Sequence, residues 1–237
     1  MHLGRRNLSQ RNRVTRMKRK ARLTVGRCGE AGFSLLEVLV VVLILGIVAA
    51  MAIPGWQRIQ KNARLNGDAH NIGEALAVAK MRAGANFTYS RVFFFTGTDK
   101  TQYFRTDTWN TTLNCWVPDG LPGPLNGNCI TTSAVTGYEN NLSRGVSAGF
   151  GSLSTVPSNF VTSVAQAGGC WGGGTTAMAG SQIADTSCIV FNSRGFPTAS
   201  GGFYLTDGTR VFAIVTNTMG LMHSYVSDAA TASWYAY

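Results

Sequence analysis

The sequence contains an apolar run of 21 residues near its start, Phe33–Ile53, in which Glu37 is the single charged side chain. An α-helix rises about 1.5 Å per residue, so a helix of this length spans about 30 Å, the thickness of the hydrocarbon core of a bilayer. The run is longer than the apolar part of a cleaved secretory signal peptide, and no small-residue cleavage site follows it. The sequence therefore predicts one membrane-spanning helix.

The positive charge of the chain is concentrated before this run. Residues 1–32 contain ten Lys or Arg and one acidic residue, whereas residues 33–237 contain eleven basic and ten acidic residues. A basic segment in front of an apolar run keeps that end of the chain in the cytoplasm. We therefore interpret the net charge of +10 as a topology signal, and not as a footprint for nucleic acid.

Glu37 is an anomaly inside the apolar run. An unpaired carboxylate in a membrane span costs a few kcal/mol, so such groups usually have a partner. The run itself contains no cation. A cut just before Phe33 would create an α-amino group one helical turn away, in the same chain or beside the Glu37 of a neighbouring copy. The sequence thus predicts that the partner of this carboxylate arises by proteolysis.

Gly32-Phe33-Ser34-Leu35-Leu36-Glu37 resembles the prepilin processing motif of type IV pilins and type II secretion pseudopilins. The resemblance implies that a prepilin peptidase cuts between Gly32 and Phe33 and that the new amine of Phe33 is N-methylated. It also implies that Glu37 aids assembly with other pilin or pseudopilin subunits. Residues 1–32 are then a cleaved leader, which is long for this group, and Met17 is an alternative start. Together with the basic flank, this predicts a single-pass inner-membrane protein with a periplasmic C-terminal domain, which later joins a pilus or pseudopilus.

The apolar pattern changes to a helical period after Pro54, a residue that falls where proteins of this group often carry a helix-loosening proline. We predict one helix from about Ser34 to Arg82, with residues 33–53 as its transmembrane half, residues 54–84 as its amphipathic half and a kink at Pro54. The stripe predicted to face a domain consists of Ile59, Ala63, Ala69, Ile72, Leu76 and Ala79.

Residues 85–237 read as a β-rich domain, so the predicted fold class is α+β and pilin-like, with the long spine helix packed on a C-terminal antiparallel sheet. Asp207-Gly208 marks a hairpin turn. Residues 168–182 are rich in Gly, Ser, Thr and Ala and predict a surface loop. The stretch from Cys188 to Gly220 resembles the end of the GspH/FimT group of minor pseudopilins. The predicted strands are Ser90–Phe95, Thr101–Thr106, Thr111–Val117, Gly145–Phe150, Phe160–Ala165, Ser187–Asn192, Gly202–Thr206, Arg210–Thr216 and Leu221–Val226.

Four cysteines follow the leader: Cys115, Cys129, Cys170 and Cys188. An even number in an exported domain suggests two disulfides, for which three connectivities exist. We favour Cys115–Cys129 and Cys170–Cys188, because each pair brackets a turn-rich loop. A zinc site is the alternative, which the absence of a paired C-x-x-C disfavours.

No catalytic constellation is evident after the leader. The part of the chain after the leader has two histidines, His70 and His223, and no nucleophile motif accompanies either of them. We therefore predict a structural subunit without enzymatic activity, metal or cofactor. The alternative is a FimT-like minor pilin that binds DNA for natural transformation, but Leu221–Tyr237 contains no Lys or Arg to contact phosphates. A membrane-anchored enzyme is the third and least favoured hypothesis.

Overall fold

The computed structural model describes residues 33–97, 99–120, 139–158 and 161–237. It divides into two compact units, Met1–Val48 and Ala49–Tyr237. One helix, α1, runs from Leu35 to Ala85 and is continuous through Pro54. It begins one residue later and ends three residues later than the helix predicted from the sequence, and the kink at Pro54 stays a prediction.

The two ends of α1 follow from local hydrogen bonding. The carbonyl oxygen of Ser34 accepts the amide hydrogens of Glu37 and Val38 at 2.9 and 3.2 Å, which starts the first turn. At the other end, Thr88 donates its amide hydrogen to the carbonyl oxygen of Ala83 at 3.2 Å. Phe87 has a φ of 51°, and a left-handed residue directly after the last turn is a common way to end a helix.

Ten strands follow α1 within the described residues and form two antiparallel sheets, numbered in chain order. The first sheet, with the order β3-β2-β1-β6 and β4 also paired with β2, contains β1 Ser90–Thr96, β2 Gln102–Asn110, β3 Cys115–Pro118, β4 Asn140–Asn141 and β6 Thr186–Phe191. The second sheet, with the order β10-β9-β8-β7-β5, contains β5 Ser147–Ala148, β7 Gly201–Thr206, β8 Arg210–Thr216, β9 Met222–Asp228 and β10 Trp234–Ala236. A long apolar helix followed by an antiparallel β-sheet domain confirms the predicted α+β, pilin-like fold class.

The main core lies between α1 and the two sheets. The buried stripe of α1 consists of Leu65, Ala69, Ile72, Leu76, Ala79 and Ala83. It packs with Val92, Phe94 and Phe104 of the first sheet and with Phe203, Leu205 and Phe212 of the second. Ile59 and Ala63, predicted to belong to this stripe, are exposed, because the packed part of α1 begins only at Leu65. That part of the predicted stripe is wrong.

Asp68 is a charged residue on the buried side of α1 and is only 4% exposed. Its Oδ2 accepts the backbone amide hydrogen of Ser143 at 2.8 Å, and its Oδ1 accepts the Ser143 hydroxyl at 2.9 Å. Burial raises the pKa of Asp68, and the bonds from Ser143 partly oppose that shift. This carboxylate therefore ties the segment after β4 to the helix.

The predicted hairpin is confirmed, with Phe203 opposite Ile214 and Leu205 opposite Phe212. Four predicted strands are wrong in extent or absent, and β4 was not predicted. Thr101–Thr106 ends four residues too early, because β2 continues to Asn110. Thr111–Val117 is a strand only from Cys115, because the side chain of Asn110 accepts two amide hydrogens of the following turn, at 3.0 Å each. Gly145–Phe150 contains a strand of two residues, β5. In Phe160–Ala165, the described residues 161–165 form no strand, and β10 was not predicted.

Residues 168–183, named here the cover segment, lie on the face of the first sheet that points away from α1. Most of this segment was predicted to be a surface loop, which is wrong for its buried side chains. Cys170 is fully buried and Ala177 is 1% exposed. A β-bridge joins Trp171 to Gln182, and Cys188 donates its amide hydrogen to the carbonyl oxygen of Gly168 at 2.8 Å. The first sheet is thus covered on both faces.

Candidate processing and assembly site

Phe33 precedes α1 and its side chain is 79% exposed, while Gly32 lies outside the described residues. Glu37 lies in the first turn of α1, four residues after Phe33. A carboxylate in the first turn is favoured by the partial positive charge of the helix N-terminus. Within the part of the chain that the structure describes, no cation pairs with Glu37. The arrangement leaves this carboxylate available to an amine placed near Phe33.

The apolar run is exposed throughout. Every residue from Phe33 to Ile53 whose burial is described is exposed, and the most apolar window of 18 residues in α1 has a mean hydropathy of 3.0. Among the described residues this is the one helix long and apolar enough to cross a membrane. Exposed apolar area costs about 25 cal/mol per Å² in water, so such a surface needs lipid or protein around it.

A second exposed apolar surface lies on the part of α1 that belongs to the second unit. Ala52, Trp56, Ile59 and Ala63 recur at spacings of four, three and four, which places them on one helix face, named here the assembly stripe. The side chains of Trp56 and Ile59 are each 63% exposed. This stripe faces away from the sheets, on the side of the helix opposite its buried stripe.

A buried ion cluster on the first sheet was missed by the sequence reasoning. Arg91, Arg105 and Asp107 are each at most 1% exposed. The Nε and Nη2 atoms of Arg91 lie 2.9 and 2.8 Å from Oδ2 of Asp107, and Nε of Arg105 lies 2.7 Å from Oδ1. One carboxylate therefore holds two guanidinium groups on neighbouring strands.

Aromatic rings surround the two cations of this cluster. The Cζ atom of Arg91 lies 4.2 Å from the ring centroid of Trp116 and 4.7 Å from that of Phe93, on which Arg105 also lies, at 4.8 Å. Guanidinium groups are attracted to the faces of such rings. Burial lowers the pKa of Arg91 to about 10, so the group stays charged at neutral pH. The cluster cross-links β1 and β2 and offers no nucleophile.

The structure joins Cys170 and Cys188 in a disulfide with their Cα atoms 5.1 Å apart, as predicted. Cys115 is buried on β3. The other predicted pairing, Cys115–Cys129, stays a prediction because Cys129 lies outside the described residues. His70 on α1 and His223 on β9 are both exposed. Among the described residues, no three His, Cys, Asp or Glu side chains come together as a metal site.

Two turns of the same design contact α1 near its end, and we call residues 192–196 and 217–221 the twin turns. In each, the side-chain oxygen of Asn192 or Asn217 accepts the amide hydrogens of the residues two and four positions later, at 2.9 to 3.1 Å. Gly195 and Gly220 have φ values of 76° and 78°, which an L side chain rarely adopts. Nζ of Lys80 donates to the carbonyl oxygen of Gly220 at 3.0 Å. Lys80 thus bonds the second of the twin turns to α1, and Gly195 of the first lies beside the carbonyl oxygen of Lys80.

Comparison with known proteins identifies the N-terminal part. Residues 27–53 match the family model of the prokaryotic N-terminal methylation motif. The comparison with curated proteins gives no match, and neither does the comparison with solved structures. The motif ends before the β domain, so it does not bear on the resemblance to the GspH/FimT group. The N-terminal methylation motif at residues 27–53 and the α+β arrangement that follows it support a type IV pilin-like protein, a class of structural subunits whose precursors are processed by a prepilin peptidase.

Proposed function

We propose that the chain is a minor pilin or pseudopilin of a type II secretion pseudopilus or a type IV pilus. A prepilin peptidase cuts between Gly32 and Phe33, and the methylated amine of Phe33 then neutralises Glu37 in the same or a neighbouring subunit. The observation that carries the proposal is the exposed apolar face of α1, which bears one carboxylate in its first turn.

The length of this face argues for protein contacts in addition to lipid. Residues 33–53 are enough to cross one hydrocarbon core. The assembly stripe continues to Ala63, ten residues or about 15 Å further along the helix. Lipid around the span cannot cover Ile59 and Ala63 as well, whereas a neighbouring helix can. Small residues such as Ala52 and Ala63 also let two helices approach closely.

The charge pattern supports the proposed orientation. The basic residues of the leader stay in the cytoplasm, and the second unit then lies in the periplasm while the chain is anchored in the inner membrane. The Cys170–Cys188 disulfide agrees with this placement, because disulfides persist in oxidising compartments.

Processing is tested by mass spectrometry of the protein purified from cells with and without active prepilin peptidase. We expect a chain that starts at a methylated Phe33 in the first case and an intact leader in the second. An intact leader in cells with active peptidase would contradict the proposal.

Assembly is tested with two pairs of matched variants on α1. Glu37→Gln should insert and be cut normally but enter filaments at least tenfold less well, whereas Glu74→Gln, an exposed acid on the same helix, should assemble normally. Ile59→Ser should lower assembly, while Met81→Ser should not, although the two side chains are 63% and 64% exposed. Filament fractions are measured by shearing and immunoblotting. Equal assembly of both members of each pair would refute the role given to this face.

A further inference from the structure

The cover segment makes specific contacts with the first sheet through its backbone. The carbonyl oxygen of Trp171 accepts Nη1 of Arg91 at 2.7 Å, and that of Ala177 accepts Nε1 of Trp116 at 3.2 Å. An atom added as Cβ at Gly173 would lie 2.6 Å from the ring of Trp109. The segment therefore lies directly on the buried ion cluster and its aromatic neighbours.

The composition of the cover segment makes its closed state costly in entropy. Six of its sixteen residues are glycines: Gly168, Gly169, Gly172, Gly173, Gly174 and Gly180. Glycine loses more conformational freedom on folding than any other residue. Apart from Cys170, Ala177 is the one side chain of the segment that belongs to the fully buried set. The partly buried Met178 and Ile183 also pack on the aromatic side chains of the sheet, so apolar burial favours closure and the entropy of six glycines opposes it.

The ion cluster beneath the segment also favours an open state. Closure buries the guanidinium groups of Arg91 and Arg105 together with the carboxylate of Asp107, and charged groups lose their hydration when they are buried. The Cys170–Cys188 disulfide, whose cysteines are 18 residues apart, opposes both effects. On the chain-entropy model, a cross-link over a loop of this length favours closure by about a hundredfold.

We propose that the cover segment is a redox-controlled strap, closed over Arg91, Arg105 and Asp107 when Cys170 and Cys188 are joined and open when they are reduced. Closure converts two thiols into one disulfide, and the two electrons and two protons pass to a disulfide oxidant, which becomes a pair of thiols. The second sheet and α1 stay folded in both states, because their shared core contains no residue of the cover segment. The segment is therefore expected to close over the first sheet only after the chain reaches an oxidising compartment.

The test compares hydrogen exchange of the oxidised full chain in detergent micelles with that of a Cys170→Ser, Cys188→Ser variant. We expect the amides of residues 171–182 to exchange at least tenfold faster in the variant, while those of β8 keep their rates. The matched control is Cys115→Ser with Cys129→Ser, which removes the other two cysteines after the leader and should leave the exchange of residues 171–182 unchanged.

A second measurement does not depend on a variant that folds. The wild-type chain is reduced with dithiothreitol and then reoxidised with oxidised glutathione, with exchange followed at each stage. We expect protection of residues 171–182 to be lost and then regained, with β8 protected throughout. Unchanged protection in the reduced chain would overturn the proposal, and so would simultaneous loss of protection in β8, because the strap would then open only by global unfolding.

Discussion

Replacing the shared carboxylate of the ion cluster gives the sharpest test of the buried electrostatics. In the wild-type protein, two guanidinium groups lie 2.7 to 2.9 Å from the carboxylate of Asp107. Asp107→Asn keeps one acceptor oxygen for one of them but presents an NH₂ group to the other. Breaking a buried ion pair by removing one partner costs about 3–5 kcal/mol, because the remaining charge stays buried and uncompensated. Arg91 and Arg105 both contact Asp107, so we expect a loss at the upper end of this range, about 5 kcal/mol.

A matched control exists at the surface. Arg82 and Asp119 form an ion pair of 3.0 Å, with side chains that are 50% and 26% exposed. Exposed pairs contribute about 0–1 kcal/mol, so Asp119→Asn should change the stability by less than about 1 kcal/mol. The two substitutions make the same chemical change and differ mainly in burial.

Urea unfolding of the full chain in detergent micelles measures both losses through tryptophan fluorescence, since Trp116 contacts Arg91. The triple variant Arg91→Met, Arg105→Met, Asp107→Leu should recover most of the stability, because an apolar replacement of a buried ion cluster is often neutral or stabilising. Equal losses in Asp107→Asn and Asp119→Asn, each below about 1 kcal/mol, would refute the reasoning and imply that the cluster is hydrated in the folded protein.

Two further substitutions test the contacts of α1. Gly195→Ala should cost about 1–2 kcal/mol of stability because of its positive φ, and more because the new Cβ would lie 3.3 Å from the carbonyl oxygen of Lys80. Gly208→Ala is the control, because its φ is 86° and no neighbour lies within 4 Å of the added Cβ. Equal losses of thermal stability in the two variants would contradict the contact with Lys80. Burial raises the pKa of Asp68 above its ordinary 3.8, so the carboxyl group binds its proton more tightly in the folded chain than in the unfolded chain. The wild-type protein should therefore lose stability relative to Asp68→Asn as the pH rises from 3.8 through the raised pKa. Parallel pH profiles of unfolding would exclude this coupling.

The hydrophobic pattern of the sequence predicted those helices and strands whose apolar side chains face a core or a membrane in the structure. The helix was predicted to within a few residues at each end, because the apolar run has the length of a membrane span and the stripe that follows it has a helical period. The β7–β8 hairpin and its turn were predicted, because Asp207-Gly208 separates two apolar strands. Phe160–Ala165 has a similar composition, but periodicity does not show whether a neighbouring strand is available for pairing, and its described residues form none.

The ion cluster could not be predicted, because its charges resemble a solvated face. Arg91 lies on β1 and Arg105 and Asp107 alternate on β2, at positions that point away from α1. A charged alternate face normally indicates exposure to water. Burial here depends on the cover segment, which lies about 60 residues further along the chain than β2 and is rich in glycine. The same limit applies to Asp68, whose partner Ser143 is 75 residues away.

The twin turns have a consequence for how the chain tolerates insertion. Asn192 and Asn217 are 25 residues apart, and β7 and β8 run outward and back between them. The two turns therefore stay side by side on α1 whatever the length of the loop at the far end of the hairpin, where Gly208 and Thr209 are exposed. An epitope inserted there would be displayed at the tip while both anchors keep their register. Insertions of any length at this tip should leave both anchors in place. An odd number of residues added within either strand, in contrast, would turn the inward-facing side chains of that strand outward.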